Sequence, residues 1–221
     1  MTTLPPDIRA AVLAQAKRAP SPDAAKTRRA YATVVVLGVL VALACFAPFG
    51  LKLGGRPPAF IAISAAGWAA IALGATLLAS SKRKTMLGVA RSVLAFVALA
   101  AGPAIVAWVM GCTMGWPDVR DAAGTLHQHV TCFLTTSLFA LGPAVALAFV
   151  RRGSDPVHPR ATGAALGAAA AAWGGVLIDL HCPLASAPHV AIGHVLPVAI
   201  YAALGALVGA RLFGVRGSAE K

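Results

Sequence analysis

The stretch DLHCPLASAPHVAIGHVLP, residues 179–197, gathers side chains that bind metals or undergo redox chemistry in a chain otherwise rich in small apolar residues. It contains one aspartate, one cysteine and three histidines. Thiolate and imidazole together are typical ligands of zinc, with copper as a rival. Whether this segment binds a metal, undergoes redox chemistry or only packs depends on its location in the folded chain.

A second group of such side chains lies at the start of an earlier apolar run. His129 and Cys132 are three residues apart, so a helix over this run would place both on one face. No C-x-x-C motif occurs, and three interpretations therefore stay open: a zinc site, a redox pair or disulfide of Cys132 and Cys182, and packing alone. The candidate metal or redox residues are His129, Cys132, His181, Cys182, His189 and His194.

Three nearby residues have simpler interpretations. Cys45 and Cys112 have mostly small apolar neighbours, which favours a role as small buried hydrophobes. Asp179 is either a hydrogen-bond partner that orients a metal-binding imidazole or a carboxylate that marks a helix end. Both interpretations of Asp179 stay open at the level of sequence.

Composition identifies the elements that must position these residues. Of the 221 residues, 58% are hydrophobic and 12% charged, with a mean hydropathy of +0.78, whereas soluble domains have about 25% charged residues. The apolar runs approach the length of about 20 residues that a membrane-crossing helix needs, without the alternation of barrel strands. The sequence predicts an all-α polytopic membrane protein with six transmembrane helices at about 31–50, 59–79, 92–112, 128–150, 161–178 and 190–210.

The basic residues predict the orientation of this six-helix bundle. With both termini in the cytoplasm, 16 of the 19 lysines and arginines fall on the cytoplasmic side. The three exceptions are Lys52, Arg56 and Arg120. Short loops rich in lysine and arginine stay in the cytoplasm, so the formal charge of +12 reports topology and contact with the lipid bilayer. We expect no direct contact with nucleic acid.

Three regions follow from this threading: a cytoplasmic arm over residues 1–30, a transmembrane domain over 31–213 and a cytoplasmic tail over 214–221. The arm has apolar residues at helical spacing, with prolines at both ends of the pattern. These residues are Leu4, Ile8, Ala11 and Val12. A short amphipathic helix gains stability by placing its apolar face in a partner's groove. The rival interpretation is a basic tail at the lipid surface.

The spans themselves offer little chemistry. There is no glycine-rich phosphate loop, no serine nucleophile motif and no series of acids and bases across the membrane, so we expect no enzyme. Two G-x-x-x-G motifs, at 163–167 and 205–209, predict close helix packing inside the bundle rather than dimerisation.

Several quoted segments together resemble the NrsF-type membrane anti-sigma factors. They are LPPDIRAAV in the arm, the pattern C…LHCP…H…H…LP outside the membrane, and GALVGARL at the end of the sixth run. Within this family the chain looks most like the members that govern light-induced carotenoid synthesis, and the family's paired cysteines match Cys132 and Cys182.

The resemblance implies a protein of the bacterial inner membrane whose arm holds an extracytoplasmic-function sigma factor. A signal, light or singlet oxygen, would then release the sigma factor to transcribe genes of carotenoid synthesis. Two alternatives from other classes are a disulfide-exchange protein and a metal permease that uses the outer His/Cys cluster. The absence of C-x-x-C argues against the first, and the lack of polar residues at mid-membrane argues against the second.

Overall fold

The structure, a computed structural model, describes part of the chain in detail. The described residues are Ala10 and the ranges 24–52, 55–80, 90–116, 124–151 and 157–213. The predicted partner-binding residues of the arm lie outside them, as does the predicted tail; those arm residues are Leu4, Ile8, Ala11 and Val12. The chain divides into two units between Thr33 and Val34. The packing described below concerns the second unit.

Within the described residues there are six helices and no strand, which confirms the all-α prediction. Five of them, α2 to α6, are long and apolar enough to cross a membrane. The other, α1, has 23 residues and contains most of the first predicted span. The bounds are α1 Ala24–Phe46, α2 Pro58–Ser80, α3 Arg91–Gly115, α4 Leu126–Arg151, α5 Pro159–His181 and α6 Ala187–Phe213.

Helix α1 differs most from its predicted span. It begins at Ala24 rather than at 31, because lysine and arginine favour helices although they lower the hydropathy from which spans are predicted. It ends at Phe46 rather than at 50. A proline disfavours the helical conformation of the residue before it, so the chain leaves the helix at Ala47, just before Pro48.

Helix α5 is the centre of the bundle and packs against α2, α3, α4 and α6. Its alanines and glycines let the neighbouring helices approach closely. A Cβ atom on Gly163 would collide with the carbonyl oxygen of Gly205 in α6, and one on Gly167 would collide with the backbone of Tyr201. The G-x-x-x-G motifs of α5 and α6 therefore pack against each other inside the bundle, as predicted.

Helix α1 packs against α4 by a similar close approach. A Cβ atom on Gly142 would lie 2.8 Å from the carbonyl oxygen of Gly38. Farther along, the ring of Phe139 lies 5.6 Å from that of Phe46 and 5.4 Å from that of Phe49. These aromatic contacts continue the packing of α1 into the connection that follows it.

Three connections, α1–α2, α3–α4 and α5–α6, meet at one end of the bundle, which we call the loop end. The backbone N–H of Lys52 donates to the carbonyl of Leu180 at 3.3 Å. A Cβ atom on Gly124 would lie 3.0 Å from the side chain of Leu184. The loop end therefore brings the ends of α4, α5 and α6 within reach of one another.

Candidate functional site

Four of the predicted site residues form a compact cluster at the loop end. Cys132 comes from α4, Cys182 follows α5, and His189 and His194 come from α6; one ligand atom from each lies within 4.8 Å of the others. The two sulfur atoms are 3.3 Å apart, and the Cys182 Sγ lies 3.2 Å from the His189 Nε2. Cys132 is partly buried and the other three are buried. We call these four residues the Cys/His cluster.

A turn of π-helix at Ala191–Val195 brings the two histidines of α6 together. Residues five apart point in different directions on a regular α-helix, but a π turn, with its i→i+5 hydrogen bonds, turns them toward the same face. The rings of His189 and His194 lie 5.2 Å apart, edge to face. The sequence contains no clear signal for this turn. A regular α-helix would therefore be predicted to separate His189 from His194, whereas the structure brings them together.

Helix α4 supports the π turn from the side. The Thr136 hydroxyl lies 2.9 Å from the carbonyl oxygen of Gly193 and 2.7 Å from that of Cys132. A Cβ atom on Gly193 would come within 3.0 Å of the Cβ of Cys132, so a glycine here permits the close approach of α6 to α4. The carbonyl of the π turn thus has a hydrogen-bond partner, and Cys132 is held against α6.

His129 contacts the Cys/His cluster from outside it. Its Nδ1 lies 2.8 Å from the Nδ1 of His189, and the two rings are 4.9 Å apart. One of these nitrogens donates and the other accepts, so this contact leaves the Nε2 of His189 directed at Cys182. Gly124, at φ +75°, lies beside this pair, where a Cβ would be 3.3 Å from the His189 Nδ1.

His181 is the one candidate that the structure places apart from the others. Its Nδ1 lies 2.9 Å from the carbonyl oxygen of Gly50, and its ring packs edge to face on Phe49 at 5.3 Å. His181 is the last residue of α5, and the chain becomes extended at Cys182. Adjacent side chains at such a helix end point in different directions, which separates His181 from the cluster.

Asp179 is held by an arginine rather than by an imidazole. The Arg56 Nη1 lies 3.4 Å from the Asp179 Oδ1, and the Arg56 Nη2 donates to the Asp179 carbonyl. Ser64 donates to the Asp179 Oδ2 at 2.7 Å. Among the described residues, the hydrogen bonds of this carboxylate are to Arg56 and Ser64 rather than to an imidazole, so of the two open interpretations the structure favours a carboxylate at a helix end.

Sequence reasoning missed the burial of Arg56, whose side chain is only 1% exposed. It placed Arg56 in an external connection, because a basic residue between two spans is typical of a solvated loop. The available signal was Asp179 itself, since a carboxylate at a helix end inside the membrane region needs a partner. The guanidinium also lies over the ring of Phe60, 5.9 Å from its centroid.

The electrostatics of the cluster favour a thiolate at Cys182. The hydrogen bond between the two thiols, with Cys132 as donor, is the main cause that lowers the pKa of Cys182. Burial raises this pKa, whereas the hydrogen bond with His189 and the nearby His194 imidazole lower it further. A thiolate beside a thiol and two imidazoles can bind a borderline-soft cation or be oxidised.

The other cysteines lie elsewhere. Cys112 is a free thiol buried among Phe60, Ile61 and Ala185, in agreement with its interpretation as a small hydrophobe. The side chain of Cys45 lies outside the described part of the chain.

Comparison with known proteins identifies the family. No curated protein and no solved structure matches the chain. The family NrsF, described as negative regulator of sigma F, matches residues 13–214. This range contains all six described helices and the whole Cys/His cluster. Since the match covers nearly the entire sequence, the chain belongs to the NrsF family of negative regulators of a sigma factor.

Proposed function

We propose that this protein is an anti-sigma factor of the bacterial inner membrane that sequesters an extracytoplasmic-function sigma factor and releases it on a signal. The family match over residues 13–214 is the observation that carries this proposal. Five helices long and apolar enough to cross a membrane support the anchored location. The protein acts as a regulator rather than as an enzyme.

The cytoplasmic arm is the proposed sigma-binding element. Its apolar positions precede the range matched by the family, so helical spacing alone supports them. A helix with such a face would lie in a groove of the sigma factor and keep it from RNA polymerase. The proposed contact residues are Leu4, Ile8, Ala11 and Val12.

The loop end is the proposed receiver of the signal. The distribution of lysine and arginine favours cytoplasmic termini, which puts the loop end on the opposite side of the membrane from the arm. The Cys/His cluster joins α4 and α6 to the residue that follows α5. Because α5 is the central helix, a chemical change in the cluster would alter the packing of the whole bundle.

The signal that suits this site is an oxidant formed in or near the membrane, such as singlet oxygen produced by light. Thiolate sulfur is the most easily oxidised group here, and the pKa of Cys182 is lowered. Loosening of the bundle after oxidation would expose the protein to proteolysis and end sequestration. The genes released from repression would be those of carotenoid synthesis, whose products quench such oxidants.

Deletion of the gene in its native host tests this function. Transcripts that depend on one extracytoplasmic-function sigma factor should rise without the signal, and the full-length chain should restore repression. Complementation with Cys182→Ser should alter the response to light, whereas Cys112→Ala, buried in another part of the fold, should behave as wild type. Unchanged sigma-dependent transcription in the deletion strain would contradict the proposal. Lost metal uptake or disulfide formation instead would favour the alternatives of a permease or a disulfide-exchange protein.

A further inference from the structure

The geometry points to a tetrahedral zinc site formed by Cys132, Cys182, His189 and His194. A tetrahedral zinc ion, with Zn–S of about 2.3 Å and Zn–N of about 2.0–2.1 Å, holds its donor atoms about 3.3–3.8 Å apart. The donor atoms here lie within 4.8 Å of one another, with separations of 3.2 Å and 3.3 Å for two of the pairs. Small side-chain shifts are enough to place all four around one ion.

The burial of His194 is independent evidence for a ligand. This residue is 1% exposed, and neither of its ring nitrogens has a hydrogen-bond partner among the described residues. Buried polar groups without partners are rare in proteins because each has lost its hydrogen bonds to water. One imidazole nitrogen directed at a metal would remove much of this cost. His194 lies in the same π turn that aligns it with His189, and such turns are frequent at functional sites.

The contact at the second nitrogen of His189 also suits a metal. A metal-binding histidine almost always uses its second nitrogen for a hydrogen bond that fixes the ring orientation. The Nδ1 of His189 lies 2.8 Å from the Nδ1 of His129, which leaves its Nε2 toward Cys182. His129 is therefore a positioning residue that orients a ligand without itself binding the ion.

The charges of the donor set favour zinc. Two thiolates balance a divalent cation, and two neutral imidazoles add no charge, so the buried site becomes neutral overall. Metal binding requires both thiols to be deprotonated, so it would release protons to solvent. Four protein ligands leave no open position, which is the arrangement of a structural site that holds helices together.

This site goes beyond the proposed function and does not depend on it, since a protein that binds no sigma factor could hold the same ion. The zinc would fix the ends of α4 and α6 to the chain that leaves α5. It would therefore determine the packing at the loop end whether or not the site also receives a signal.

Metal analysis of the full-length protein, purified in detergent without a metal-affinity tag, tests the site. We expect about one zinc per chain by elemental mass spectrometry. After exchange with Co²⁺, the visible absorption should show thiolate-to-cobalt charge transfer and the intense d–d bands of a tetrahedral centre. Cys182→Ser and His194→Ala should lower zinc occupancy at least tenfold, and His129→Ala should weaken zinc affinity by about 10–100-fold.

Two matched variants serve as controls. His181→Ala changes a histidine at the same end of the bundle that faces Gly50 and Phe49, and Cys112→Ser changes a buried cysteine outside the cluster. Both should retain full zinc occupancy. If His181→Ala loses as much zinc as His194→Ala, the assigned ligand set is wrong.

The wild-type protein alone can overturn the proposal, whether or not each variant folds. Wild-type protein that binds neither zinc nor Co²⁺ after reduction and reloading contradicts the site. A Cys132–Cys182 disulfide in metal-free protein that persists in a strong zinc buffer would assign the cluster to redox chemistry instead. A spectrum of octahedral Co²⁺, with weak d–d bands and no charge transfer, would likewise exclude thiolate ligation.

Discussion

Arg56 and Asp179, 123 residues apart in sequence, form a buried ion pair at the loop end of the bundle. This pair ties the connection after α1 to the last turn of α5, three residues before Cys182. Ser64 of α2 completes the arrangement by donating to the same carboxylate. A buried polar network therefore joins the α1–α2 connection and α2 to the last turn of α5.

Loss of one partner of this ion pair should destabilise the protein more than loss of both. Asp179→Leu leaves the buried Arg56 guanidinium without the carboxylate that neutralises its charge, and breaking a buried ion pair in this way typically costs about 3–5 kcal/mol. The double variant Arg56→Met with Asp179→Leu removes both charges and should recover most of that loss. Thermal unfolding in detergent, followed by circular dichroism, measures this difference. Equal destabilisation by the single and double variants would show that the pair is not coupled.

The contact between α5 and α6 should tolerate no side chain at Gly205. The added Cβ of Gly205→Ala would strike the carbonyl of Gly163, and overpacking of this kind costs about 1–3 kcal/mol. Gly111→Ala is the matched control, because a Cβ on this helical glycine of α3 meets nothing within 4 Å. The melting temperature should fall for Gly205→Ala and stay level or rise slightly for Gly111→Ala. The opposite order would contradict the assigned helix contact.

The hydroxyl of Thr136 should matter for the π turn of α6. Thr136→Val removes the donor to the Gly193 carbonyl while keeping the shape of the side chain, and should cost about 1–3 kcal/mol. Thr136→Ser keeps the hydroxyl and should lose much less stability. The free energy of unfolding of wild type, Thr136→Val and Thr136→Ser, measured in the same detergent, tests this expectation. If Thr136→Val is as stable as wild type, the π turn does not depend on this hydrogen bond.

The orientation of the bundle can be measured directly. Reporter fusions after residues 55, 85, 120, 155, 186 and 215 should alternate between external and cytoplasmic activity, because the basic residues favour cytoplasmic termini. The fusion at 186 is the most informative, since it lies in the connection beside the Cys/His cluster. Cytoplasmic activity there would place the cluster on the same side as the arm and remove the proposed transmembrane signal.

Much of the fold could be predicted from hydropathy, because long apolar helices are the simplest way to satisfy the backbone inside a membrane. The five helices from α2 to α6 lie within a few residues of their predicted spans. Helix α1 extends farther toward the N-terminus, since a helix does not end where its sequence becomes charged. The packing of Gly163 on Gly205 could also be predicted from the sequence, because small residues four apart indicate a close helix contact.

The cluster could be predicted in part. The sorting of histidines and cysteines to one end of the spans indicated that they lie close together, and five of the six do: the four of the Cys/His cluster and His129 against His189. The exclusion of His181 depends on the residue at which α5 ends, and the pairing of His189 with His194 depends on a π turn. Both the position of His181 and the pairing of the two histidines depend on local backbone geometry, which cannot be predicted from the spacing of apolar residues. The partner of Asp179 depends on a tertiary contact with Arg56 that no local pattern indicates.

The sigma factor that co-purifies with the full-length chain tests the central claim most directly. An extracytoplasmic-function sigma factor should be recovered in near-equal amount with wild-type protein from detergent-solubilised membranes. A charge on the apolar face of the arm, in Ile8→Asp or Val12→Asp, should weaken this binding roughly a hundredfold while membrane insertion stays intact. Failure to recover any sigma factor with the wild-type chain would contradict the account. Full recovery of the sigma factor with the double variant Ile8→Asp with Val12→Asp would show that it binds elsewhere than the arm.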